Sequence, residues 1–192
     1  MTNLLKNKKI IILIFSTIIV FVFCFVFKDV ILKMFYSKKY EEIVSIYSEK
    51  YSVDENLIFA IIKAESDFDK NVISNKGAVG LMQLMNNTAK EVALKNNIEI
   101  NSNNITQELL NPEKNIEIGT KYTEMMIRKY GNIQVALAAY NAGTGTIDNW
   151  IEKGIIKADG SDIEKIPYKE TNIYVRKILR NYEMYKNLYT NI

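Results

Sequence analysis

The sequence predicts an all-α protein, and three observations carry that reading. Apolar residues recur at three- and four-residue spacing along most of the chain, few segments alternate with period two, and only Pro112 and Pro167 interrupt as prolines. With 192 residues there is room for one domain of ordinary size with a real core.

The first element is apolar throughout. From Ile10 to Phe27 eighteen residues carry no charge. As a helix they span roughly 27 Å, close to the hydrocarbon thickness of a bilayer. Lys6, Lys8 and Lys9 precede the run, which places residues 1–9 in the cytoplasm and the remainder outside. A cleaved signal peptide is the competing reading. The run is long for one, and no small-x-small pair precedes Lys28-Asp29. Cys24 follows Phe21-Val22-Phe23, a triplet too bulky for a lipoprotein processing site. An uncleaved single-pass transmembrane anchor is therefore expected at 10–27. Residues 28–39, with Val30, Ile31, Met34 and Phe35, continue that helix or form a short stalk.

The exterior part, 40–192, reads as a series of helices. Tyr40 to Tyr51 carries Ile43, Val44, Ile46 and Tyr47 at mostly helical spacing. Asp54 caps a helix running through Leu57, Ile58, Ile61 and Ile62 to Glu65. Leu81 to Leu94 is the next, placed after Gly77 and Gly80. Asn111-Pro112-Glu113 starts a helix with a cap, a first-turn proline and an acid at the positive end; it stops at Gly131. Gln134 to Tyr140 is short and ends at Asn141-Ala142-Gly143. Ile147 to Lys153 surrounds Trp150, and Glu170 to Tyr189 forms a long last helix.

Composition excludes several chemistries. Beyond the anchor the charges balance at 22 basic and 22 acidic, so there is no electrostatic footprint for nucleic acid. No cysteine follows Cys24, and histidine is absent. That removes disulfides, Ser-His-Asp triads, Cys-His dyads and histidine metal sites, and no metal or other cofactor is expected. Carboxylates, hydroxyls, amides and lysines are left to do any work.

Glu65 stands out among the carboxylates. At 100° per residue it lies about 20° from Ile58 and within about 60° of Ile61 and Ile62, on their apolar face. Burial raises a carboxyl pKa, and the negative end of the helix dipole pushes the same way. The result is an acid still protonated near neutral pH, as a general acid for a glycosidic oxygen requires. Spacing alone leaves open that Glu65 turns aside at the helix end to solvent or Lys63.

Five ordered stretches add to this: "AIIKAES", "ISNKGAVGLMQLMNNTAKEVA", "NPEKNIEIGTKYTEMM", "ALAAYNAGTGTI" and "IPYKETNIYVRKILRNY". In order and spacing, over roughly residues 40–182, they resemble the catalytic domain of the Slt-type lytic transglycosylases, on the lysozyme-like fold. The resemblance implies a bacterial enzyme whose substrate is peptidoglycan, cut between N-acetylmuramic acid and N-acetylglucosamine. One glutamate protonates the leaving oxygen and then, as a base, takes the proton of the muramoyl C6 hydroxyl that attacks C1. A 1,6-anhydro sugar results and no water is consumed. Other glycosidases on this logic need a second carboxylate across the bond; the resemblance supplies none, and help from the 2-acetamido group fills the gap.

Carried over by position, Glu65 is the acid/base. Ser74 matches a serine that positions the acetamido group, while the residue itself reads equally as a surface loop hydroxyl. Gly77 and Gly80 permit close backbone approach to a sugar or form a tight turn. Met82 and Gln83 line the cleft, with the Gln83 amide bonding to substrate or to the loop beside Glu65; taken alone, Met82 equally suits the core. Tyr140 hydrogen-bonds near the glutamate and orients it. Asn141 belongs to the same block and equally suits a helix terminator. Glu170 sits at a sugar-binding position or serves as a helix N-terminal acid. Tyr168 and Tyr174 offer faces for sugar stacking. Where relatives usually have proline after "GLMQLM", this chain has Asn86, which also suits a helix start. A hydrolytic muramidase on the same fold and a non-catalytic peptidoglycan-binding scaffold are the rival readings.

Overall fold

The computed structural model describes residues 2–189. Met1 and residues 190–192, assigned above to the two ends of the chain, lie outside the described residues, as do the side chains of Lys6 and Lys9. The chain divides into two compact units, Met1–Ser37 and Lys38–Ile192.

The first unit holds α1 (Thr2–Val26) and α2 (Lys28–Phe35), bent by 62° where the apolar run gives way to Lys28 and Asp29. Ser16 and Thr17 each donate a hydroxyl to the Leu13 carbonyl at 2.8 Å, so the polar residues in the run are satisfied within their own helix. Residues 28–35 thus form a separate helix rather than prolonging α1 in a straight line. Among the described residues no single helix is long and apolar enough to cross a membrane; the bent pair Ile10–Val26 and Lys28–Phe35 meets the length and composition together.

The second unit is mostly helical: α3 (Glu41–Tyr51), α4 (Glu55–Glu65), α5 (Asn86–Lys95), α6 (Ile105–Leu109), α7 (Pro112–Tyr130), α8 (Ile133–Ala142), α9 (Thr144–Glu152) and α10 (Lys169–Tyr189). A two-stranded antiparallel hairpin, β1 (Ala78–Val79) with β2 (Leu84–Met85), and a 3-10 turn at Ile163–Lys165 complete it. The caps read from the sequence are formed. Asp54 accepts from the Asn56 amide, Asn111 accepts from that of Glu113, and Gly131 closes α7 at φ +65°.

One expected element is displaced. The helix placed at Leu81 begins only at Asn86, and Leu81 to Met85 forms the hairpin turn and strand β2. Gly80 at φ +74° and Gln83 at φ +45° adopt left-handed backbone, which a right-handed helix cannot contain. Helix α6 and the 3-10 turn were not foreseen.

Helix α4 is the centre of the domain. The sequence suggested an apolar stripe, yet every residue from Asn56 to Ile62 is buried, around the whole circumference. Its five large apolar side chains contribute on the order of 10 kcal/mol of burial as an upper bound. Helix α10 packs along it more extensively than any other partner. The two run antiparallel and are tied at both ends: Tyr182 donates to Asp54 Oδ2 at 2.7 Å, and Tyr174 to Glu65 Oε1 at 2.6 Å. A carboxylate at the end of α4 is therefore mounted on a helix that is buried on all sides and tied to α10 at both of its ends.

Candidate active site

Glu65 ends α4 and faces a cavity of about 400 Å³ whose walls also include Ser74, Lys76, Gln83, Met85, Tyr140, Asn141 and Glu170. The carboxyl is largely shielded from water. Desolvation pushes its pKa up to about 7, against the lowering effects of the Tyr174 hydrogen bond and the Lys177 charge. Desolvation is the first of the two causes expected from sequence; the alternative of a side chain turned out toward Lys63 is not what is observed. Lys63 pairs instead with Asp67 at 2.9 Å.

The loop opposite is held by the chain's own polar groups. Ser66 donates its hydroxyl to the Leu81 carbonyl at 2.9 Å. Ser74 accepts the Ala78 amide at 3.0 Å and stands in the cavity wall, where its own hydroxyl hydrogen is left to donate. Gln83 spends its amide donors on the carbonyls of Val72 and Gly80, at 3.1 and 2.9 Å, so the amide stabilises the loop beside Glu65 while lining the cavity. Asn141 accepts the Thr171 hydroxyl at 2.8 Å, which joins the end of α8 to the start of α10 at the cavity edge. Glu170, in the first turn of α10, reaches Lys76 at 3.4 Å, both side chains being exposed.

Several expected roles fall elsewhere. Met82 is fully buried; its thioether fills the space that the missing side chain of Gly119 leaves, so it packs in the core rather than along the cleft. Gly80 is buried too, and a Cβ there would strike Asn115 and the Leu109 carbonyl. The close approach it permits is internal, not to a sugar. Gly77 occupies an exposed turn at φ +82° with open space around it. Tyr140 donates to the Met82 carbonyl at 2.8 Å and not to Glu65, so its phenol fixes the hairpin. The phenol that donates to Glu65 belongs to Tyr174, which is not among the residues lining the cavity. Tyr168 stands edge-on to Trp150, ring centroids 4.8 Å apart, and does not line the cavity. Asn86 opens α5 and donates to Thr106 at 3.0 Å, a local accommodation as expected.

Two contributors escaped the sequence. Met85, 44% exposed, presents its side chain to the cavity; nothing in its spacing separates it from Met82 except the turn that neither pattern revealed. Asn115 lies in α7 but organises the hairpin: its Nδ2 donates to Val79 and Leu109, and its Oδ1 accepts from the Met82 amide at 2.8 Å. A larger hollow of about 550 Å³ lies beside Thr88, Lys95, Met125 and Tyr122. Its cations Lys95, Arg128 and Lys129 are taken up by Glu91, Glu124 and Asp148, and its one lining carboxylate, Glu91, is itself paired with Lys95. The chemistry therefore points to the smaller cavity. Tyr122 and Tyr140, one from each wall, touch with centroids 4.9 Å apart.

Comparison with known proteins agrees with this geometry. The family model described as the transglycosylase SLT domain matches residues 42–162. The soluble lytic murein transglycosylase of Escherichia coli is 34% identical over 142 residues, 73% of this chain and 22% of the relative. A membrane-bound lytic murein transglycosylase C from Edwardsiella ictaluri is 37% identical over 117 residues, 57% of this chain and 32% of the relative. Among solved structures, an inactive mutant of the lytic transglycosylase Slt from Pseudomonas aeruginosa superposes with a TM-score of 0.74 at 34% identity, over 81% of this chain and 25% of that one. The 70-kDa soluble lytic transglycosylase of Escherichia coli gives 0.73 at 30% identity, with the same coverage. This chain thus spans roughly a quarter of the length of these larger proteins.

Proposed function

This chain belongs to the transglycosylase SLT domain family, and on that premise we propose that it is a peptidoglycan lytic transglycosylase acting through Glu65. The substrate is the glycan strand, and the bond cut is the β-1,4 link from N-acetylmuramic acid to N-acetylglucosamine. Protonated Glu65 gives its proton to the bridging oxygen as the bond to C1 breaks. The resulting carboxylate then takes the proton of the muramoyl C6 hydroxyl while O6 bonds to C1. The proton count returns to its start, the products are a free 4-hydroxyl and a 1,6-anhydro end, and no water enters.

The observation that carries this reading is a single carboxyl with its pKa pushed up to about 7 inside a cavity of sugar size. A pKa near the working pH suits a group that must be acid in one half of the cycle and base in the other. Around it, Ser74, Gln83, Asn141 and Glu170 supply polar edges for the acetamido and hydroxyl groups, and Met85 supplies an apolar surface.

The bent pair α1–α2 is proposed as a membrane anchor that keeps the domain on the wall side of the cell membrane. Its support is the uncharged run, the lysines before it and the paired helices. Extraction with alkaline carbonate tests it: an anchored chain stays with the membrane at full mass, and a cleaved signal leaves a shortened, soluble one.

Digestion of purified sacculi followed by mass spectrometry tests the activity. Anhydro-ended muropeptides are expected. Ends heavier by one water would identify a hydrolytic muramidase, and binding to sacculi without release would identify a scaffold.

A further inference from the structure

Helix α10 reaches the end of α4 with a second side chain besides Tyr174. Lys177, one turn further along, donates its ammonium to the Ala64 carbonyl at 2.6 Å. That carbonyl belongs to the last turn of α4, where intrahelical bonding runs out and the negative end of the dipole lies. The residue after it is Glu65. We propose that Lys177 is a positioning residue for the reaction: it clamps the last turn of α4 and holds a positive charge beside Glu65 for the half of the cycle in which that group is a carboxylate. The inference rests on the transglycosylase reading above.

The other polar groups near Glu65 leave this role open. Tyr174 is a neutral donor, its phenol held well above the usual range by burial and by the Glu65 charge. Tyr140, from α8, is likewise kept neutral by burial and bonds elsewhere. On α4 itself Lys63 is turned to Asp67, and Lys76 of the facing loop is turned to Glu170. Lys177 is the cation whose charge acts on Glu65 among the described residues. Without it, burial would have only one opponent, the Tyr174 hydrogen bond. The acid would bind its proton more tightly, and the carboxylate formed after the first proton transfer would be less stable. A lysine at this place lets one buried glutamate serve both steps.

The test uses the full chain in detergent and three variants, Lys177→Gln, Lys177→Met and Lys177→Arg. Activity requires protonated Glu65 and is lost as pH rises through its pKa. In Lys177→Gln and Lys177→Met that falling limb is expected to move up by about half a pH unit or more, with kcat lowered several-fold and KM little changed. Lys177→Arg keeps the charge and the donor and should return the limb to its original place. A titration of the Glu65 side chain followed by carbon NMR reads the same shift without any turnover. The inference is overturned if the Lys177→Gln titration coincides with that of the unmodified chain. Should the unmodified chain release no anhydro product, the transglycosylase reading fails while the titration still decides the role of Lys177.

Discussion

Tyr174 donates to Glu65 Oε1 across 2.6 Å, although 109 residues separate them. The bond links the last turn of α4 to the second turn of α10, at a carboxyl that lines the cavity. It also opposes desolvation, since a donor favours the charged carboxylate.

Tyr174→Phe keeps the ring and removes that donor. Glu65 should then bind its proton more tightly, so the alkaline limb of the pH–rate profile moves up. A loss of about tenfold in kcat is expected, because the carboxyl can also rotate away from a productive angle. A pH profile unchanged from the original would show that the bond plays no part in tuning the acid.

Tyr140→Phe should behave differently. Its hydroxyl holds the Met82 carbonyl, so the loss leaves a buried acceptor unpaired and costs about 1–2 kcal/mol of stability. The pH limb should stay where it is, because no hydrogen bond to Glu65 is removed. Chemical denaturation and the pH–rate profile, taken together, separate the two tyrosines.

The contrast between these tyrosines marks the limit of what sequence could reveal. The face of Glu65 was legible because helical spacing fixes it, but spacing left open a side chain turned to solvent, and only the resemblance of the five ordered stretches made it the acid/base. The caps at Asp54 and Asn111 were legible for the same local reason. Which phenol reaches the carboxylate was not, because that depends on how α8 and α10 cross α4, and chain-local periodicity carries no such angle. The turn between Gly80 and Gln83 was also hidden. "GLMQLM" reads as apolar and helical until left-handed backbone at Gln83 breaks it, and that break sends Met82 inward and Met85 outward. Asn115 shows the same limit, since its three partners lie in β1, at the end of α6 and in the hairpin turn, none of which a single helix pattern addresses.

Asn115→Ala should therefore harm the site from a distance. Its side chain completes the hydrogen bonding of Val79, Leu109 and Met82, all in buried surroundings. Removing it leaves three backbone groups without a partner, at a cost of about 2–4 kcal/mol. Gly80→Ala would press on the same place, with a strained φ in addition. Hydrogen exchange at residues 79–83 should rise in Asn115→Ala well before the rest of the domain opens. Uniform exchange across the domain would argue against a local hub.

Lys76 and Glu170 close one edge of the cavity with an exposed ion pair, which contributes little to stability. Glu170→Gln is accordingly expected to leave the melting temperature within about a degree. If Glu170 bonds a sugar hydroxyl, KM for glycan strands should rise several-fold with kcat nearly constant, the pattern of lost uniform binding. A fall in kcat at constant KM would instead place Glu170 in the chemical step.

Glu65→Gln should abolish anhydromuropeptide release while making the fold more stable at alkaline pH. The sign follows from the direction of the shift. The folded carboxyl, with a pKa raised to about 7 from an ordinary 4.5, holds its proton where the unfolded chain has already lost it. Stability therefore falls as pH rises from about 4.5 to about 7 and is level above that. At 1.36 kcal/mol per unit the whole effect is about 3 kcal/mol. Contact with cavity water screens part of it, so about 1–2 kcal/mol is expected. Glutamine has no charge to bury and escapes this penalty. The variant should thus melt a few degrees above the original at pH 8 and close to it at pH 4, by calorimetry on the full chain. An equal difference at both pH values would mean that the gain comes from packing and that Glu65 is not strained by its charge.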